Sequence, residues 1–205
     1  MAIINREHQT IKLADRSQLV AFADVVLSGD LDLHMGQSLR LWGNVSVAAD
    51  AEAGRTVRMS APHMKFGKGG YVAAGNTEAF VAPGMAGIET RDDILRVEAD
   101  LIDVRDVNYF AGFGDVAFTS RGDIRLLQAF GPGTSGRTAL LAPDLLTLTA
   151  AQIYPASGAV AHIGVGFSSG GVTVSSTPED HLIIRGLGGA APAMPYSVGG
   201  NLNLQ

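Results

Sequence analysis

Residues 94–104 read Ile-Leu-Arg-Val-Glu-Ala-Asp-Leu-Ile-Asp-Val. Leu95, Val97, Ala99 and Ile102 are apolar, and Arg96, Glu98 and Asp100 between them are charged. A period of two with one dry and one wet face is the mark of a half-buried β-strand. The same pattern returns at 145–154, where Leu146, Leu148, Ala150 and Ile153 fill the four apolar slots at an offset of 51. An earlier copy places Val57, Met59, Ala61 and Met64 in those slots at an offset of 38. Short strands that cannot bury a face alone must stack on their copies, which is the logic of a solenoid. The offsets predict coils of roughly 17 to 25 residues with irregular loops between strands.

Composition supports narrow stacked coils. Hydrophobic residues make up 46% of the 205, yet aromatics only 6%, with 26 glycines. The core is therefore expected to rely on small and β-branched side chains, where a globular enzyme core would draw on more aromatic bulk. One domain spanning residues 1–205 fits this length, with residues 1–8 set apart as a start outside the ordered body.

Net charge is −5 and no long basic run occurs, which leaves no electrostatic footprint for nucleic acid. With no cysteine, disulfides and thiolate metal sites are excluded. The N-terminus has no signal-peptide pattern, and no stretch of eighteen apolar residues is present. If the native protein is exported, this chain is expected to be a piece of it.

Along the chain, short apolar alternations at 10–13, 18–22, 24–28, 31–34, 38–42 and 45–47 are broken by Gly, Asn and Asp, which permit a change of direction. Residues 71–87 are irregular. Further strands are expected at 107–110, 112–114, 116–120, 123–127, 159–166, 172–176, 181–185 and 197–204, around a turn-rich break at 130–136. Almost no helix is expected, because no long segment carries a capped 3.6-residue period. The unequal repeat and the lack of Asn-Gly or Asp-Gly hairpin turns favour an all-β, right-handed parallel β-helix of roughly ten coils.

The segments 116–126, 99–104, 110–114, 146–155 and 195–204 resemble the filamentous-haemagglutinin-like large exoproteins, well over roughly residues 90–205 and in style before that. The resemblance implies an internal shaft fragment of a long protein secreted to a bacterial cell surface by two-partner secretion. Its implied partners are an outer-membrane transporter, acting through an N-terminal domain whose Asn-Pro-Asn-type motifs do not occur here, and a host-cell or bacterial receptor or glycan. Such proteins serve as adhesins, biofilm factors or stalks for contact-dependent inhibition. No toxin tail is recognisable, and cut coils with open strand edges could associate end to end.

Several residue groups could carry chemistry in place of this structural role. Arg121-Gly122-Asp123 is the tripeptide of integrin ligands and the one receptor-binding candidate. Integrin recognition requires an exposed loop tip, whereas Asp123 leads directly into a strand and Gly122 suits a tight corner. Asp100, Asp103, Asp106, Asp115 and Asp123 could form the carboxylate group of a polysaccharide-cleaving enzyme if coils aligned them. Solvated charges that blunt lateral strand pairing explain them equally well, and no enzymatic activity is expected. His8, His34, His63, His162 and His181 lack metal-ligand spacing, so no metal or cofactor is expected. Residues 67–70, Gly-Lys-Gly-Gly, lack the spacing of a phosphate loop. Trp42, Tyr71, Tyr109, Tyr154 and Tyr196 would make a glycan-stacking strip only if they faced outward together. The sequence thus supports a shaft first, a glycan- or receptor-binding surface second, and a polysaccharide-acting enzyme third.

Overall fold

The computed structural model describes residues 9–12, 16–21, 25–27, 30–42, 45–47, 53–67, 92–110, 112–129, 137–166, 180–188 and 197–204. Among these residues there is no helix. In chain order the strands are β1 (Gln9–Lys12), β2 (Gln18–Ala21), β3 (Val25–Leu27), β4 (Leu31–His34), β5 (Ser38–Leu41), β6 (Val45–Val47), β7 (Thr56–Phe66) and β8 (Asp93–Val104). They continue as β9 (Val107–Tyr109), β10 (Phe113–Ser120), β11 (Asp123–Leu126), β12 (Arg137–Leu141), β13 (Leu145–Ala150), β14 (Gln152–Pro155), β15 (Val160–Gly164), β16 (His181–Gly186) and β17 (Asn201–Leu204).

Among the described residues every pair of strands is parallel, with a single isolated antiparallel bridge between Asp92 and Phe113, as expected when each strand meets a copy of itself only after a long excursion. The longest path runs β1-β4-β7-β8-β10-β13-β16. The second halves of β7 and β8 carry a further ladder, β2-β5-β7-β8-β11-β14, within the same sheet. A four-stranded sheet, β9-β12-β15-β17, and the pair β3-β6 complete the arrangement.

The four apolar slots align as the repeat requires: Val57, Met59, Ala61 and Met64 pair with Leu95, Val97, Ala99 and Ile102. The offset of 51 spans two steps, because Val116 pairs with both Leu95 and Leu146, and Phe118 with both Val97 and Leu148. This intervening copy, Val116, Phe118, Ser120 and Ile124, carries one extra residue at its corner, which hides it from a fixed-spacing search. The first coils hold a similar copy, Leu31 and Leu33 against Val57 and Met59, then Leu39 against Met64 after an extra corner residue.

Several steps between paired strands fall within the expected 17 to 25 residues, as from Gln9 to Leu31, Leu95 to Val116 and Gln18 to Ser38, but others are longer. The step from Arg55 to Asp93 covers 38 positions, and that from Thr119 to Thr149 covers 30. Among the described residues the longest ladder holds seven strands. The strand at 172–176 and the segments 1–8 and 71–87 lie outside the described residues. β12 was not anticipated: Thr138, Ala139, Leu140 and Leu141 are all buried, so no alternation betrays the strand.

One apolar cluster joins residues from both ladders of the large sheet, from the four-stranded sheet and from β6. Phe66, Phe110 and Phe118 meet edge to face at centroid distances of 5.3–5.7 Å. Edge-to-face stacking fixes their relative orientation as well as filling volume. Among the described residues, Ala, Val and Ile make up half of the buried apolar residues, as expected, and Leu, Phe and Met, including the fully buried Met59 and Met64, supply the larger side chains.

Candidate functional site

β7 and β8 run through both ladders as single strands, whereas the chain turns a corner between β10 and β11 at Arg121-Gly122, just before Asp123 opens β11. The Arg121 N–H donates to the Ala99 carbonyl at 2.9 Å and the Gly122 N–H to the Asp100 carbonyl at 2.9 Å. The Gly122 carbonyl accepts from the Ala151 N–H at 2.8 Å. A Cβ on Gly122 would lie 2.6 Å from the Asp100 carbonyl oxygen, so this corner admits only glycine without a backbone shift. Ser120 occupies the slot held by Ala99 one coil earlier, and its buried hydroxyl donates within reach of the Asp100 and Asp123 carbonyls, both at 3.0 Å. The Arg121 side chain is well exposed and ion-paired with Asp100, and the Asp123 carboxylate accepts from the Tyr154 hydroxyl at 3.2 Å. The tripeptide is thus set within the stack and bonded to its neighbours on both sides, not raised on a loop tip.

The five aspartates singled out in the sequence do not converge. Asp115 takes both Arg96 terminal nitrogens, at 2.9 and 2.5 Å. Asp100 pairs with Arg121, and Asp123 with Tyr154. Asp103 sits at the centre of a three-residue group. Its Oδ1 accepts from Arg125 Nε at 2.7 Å, while its Oδ2 accepts from Arg125 NH2 at 2.9 Å and lies 2.8 Å from His63 Nε2. Burial opposes the charge on Asp103, but hydrogen bonds from Arg125 and His63 outweigh it and hold the carboxyl below its ordinary value. Such pairing suits neutralisation of a buried charge.

Asp106 is different. It follows β8 with a φ of 58°, the left-handed value otherwise taken by glycines in the described chain, and its Oδ1 is buried without a hydrogen-bond partner. Burial pushes its pKa up to about 6, against the opposing pull of the Arg105 charge. Tyr109 is pushed up to about 12 by burial and by the Asp144 charge.

The histidines remain dispersed. His34 Nδ1 lies 2.5 Å from Ser60 Oγ, and its Nε2 lies 2.8 Å from Asp32 Oδ1 on the same strand. His162 is held below its ordinary pKa by burial and by Arg137. Among the described residues no group of three His, Cys, Asp or Glu side chains could hold a metal ion. The aromatic strip is not assembled: Trp42 lies beyond β5 under the Arg40 guanidinium, Tyr109 is buried in β9 and Tyr154 lies on β14. Tyr71 and Tyr196 lie outside the described residues.

A row that sequence spacing concealed runs across the second-half ladder. Val20, Arg40, Lys65, Asp103, Arg125 and Tyr154 are successive register partners on β2, β5, β7, β8, β11 and β14. The one signal in the sequence was that each stands directly after an apolar slot of its coil. Neither a protein-family model nor a curated protein nor a solved structure matches this chain.

Proposed function

We propose that this chain is a shaft segment of a secreted bacterial surface exoprotein, coiled as a right-handed parallel β-helix. The observation that carries the proposal is the single column of core residues Leu31, Val57, Leu95, Val116, Leu146 and Leu182, one per pass, in a continuous parallel ladder. A chain that returns to the same column after each excursion extends along one axis by about 4.8 Å per pass. Seven passes make a stack of about 30 Å. Of its aspartates, Asp115, Asp100 and Asp123 are committed to Arg96, Arg121 and Tyr154, which suits a surface that bears load more than one that performs chemistry.

The likeness to filamentous-haemagglutinin-like exoproteins supplies the cellular setting: two-partner secretion through an outer-membrane transporter, and display of distal binding or toxic regions. Immunogold electron microscopy of the intact organism, with antibody raised against this chain, tests that setting. Label standing off the outer membrane is the expected result, and label confined to the cytoplasm overturns it. The second reading, a glycan-binding surface, is favoured by the cation-bearing row on the second-half ladder.

A further inference from the structure

We infer that the outward row Arg40–Lys65–Asp103–Arg125–Tyr154 is a binding strip for a linear glycan bearing a carboxylate on each sugar. The inference needs only the observed register and does not depend on the shaft reading. Parallel pairing places the five residues on adjacent strands β5, β7, β8, β11 and β14, about 4.8 Å apart. An extended polyuronate presents its charges along a line, and a line of cations on a flat sheet is its complement.

The row contains one acid, and that acid is withdrawn from solvent. Asp103 is only 6% exposed, with both oxygens engaged by Arg125 and His63. Arg125 spends two N–H groups on Asp103, and the rest of its planar fork is available for a second carboxylate. Lys65 has no ion pair among the described residues, although it is the register partner of Asp103. Arg40 lies 5.3 Å over the ring of Trp42, a contact that holds a guanidinium in place without cancelling its charge. Tyr154 closes the row at its far end and donates its hydroxyl to Asp123. A single file of cations on a chain of net charge −5 suits a single anionic strand better than the broad basic face that a nucleic-acid duplex requires.

The test is binding of the full chain to polygalacturonate at low salt, followed by calorimetry. The wild-type chain is expected to bind the polymer, to lose affinity as salt rises, and to ignore its fully methyl-esterified form. Arg40→Gln with Lys65→Gln is expected to weaken binding at least tenfold, whereas Arg58→Gln on the first-half ladder leaves it unchanged. If the double variant fails to fold by circular dichroism, the esterified polymer on wild-type protein decides alone. The inference is overturned if the wild type does not bind, if esterification has no effect, or if the folded double variant binds like wild type. Duplex DNA or anionic phosphatidylglycerol vesicles binding as tightly, through the same two residues, also overturns it.

Discussion

Asp103 and Asp106 stand three positions apart and respond to protons in opposite senses. Asp103 titrates below its ordinary value of 3.8, so its contribution to stability is present above that pH and is lost as pH falls through the lower folded value. Asp106 titrates at about 6 in the folded chain, so the folded state holds the proton more tightly than the unfolded one. Its contribution is full below 3.8 and is lost as pH rises through 6. Asp106→Asn is therefore expected to stabilise the protein at pH 7.5 by on the order of 2 kcal/mol and to have little effect at pH 4. Asparagine also tolerates the left-handed φ at this position. Denaturant midpoints at the two pH values check this. Asp103→Asn should instead cost on the order of 3 kcal/mol at pH 7.5, because it leaves Arg125 and His63 facing each other over a buried site. At the corner, Gly122→Ala is expected to cost about 1–3 kcal/mol, since its Cβ meets backbone. Gly158→Ala, with φ of +73° and open space around it, should cost no more than about 1–2 kcal/mol. Thermal denaturation of both variants gives the comparison. The need for glycine at 122 was legible as a tight corner. The partners of the aspartates were not, because each partner lies about twenty or more residues away.

Each strand is stabilised mainly by the copies on either side, so the effect of a substitution depends on its rung. Leu148 is fully buried between Phe118 and Ile184, whereas Ile184, in the same column, is 46% exposed on β16. Leu148→Ala should cost about 2–5 kcal/mol and Ile184→Ala under about 1 kcal/mol, by equilibrium denaturation. A molecule without such a gradient would show similar losses at both. Strands with alternating faces, β7, β8 and β13, were visible in the sequence because one side is wet. β12 was not, since both its faces are dry. The copy in β10 and β11 was hidden by one inserted corner residue, which shifts the later slot without disturbing the inward side chains.

Among the described residues, inward side chains are buried from β4 through β13 and in β15, and burial thins out at β16 and β17, where Ile184, Leu202 and Leu204 are exposed. Hydrogen exchange should follow this profile, with amides of β8, β10 and β13 slowest and those of β16 and β17 among the fastest. Uniform protection along the ladders would contradict it. The sequence by itself determined the local terms: an all-β chain of short strands, the parity of their side chains, the four apolar slots and the lack of any thiol chemistry. Those follow from period and composition, which any stretch of chain carries within itself. Only the tertiary structure decided which strands are adjacent, how many of them stack in each ladder among the described residues, and which outward charges meet. Excursions of unequal length separate the partners, so register is settled where inward side chains pack, and the Arg40-to-Tyr154 row exists only once that packing has been made.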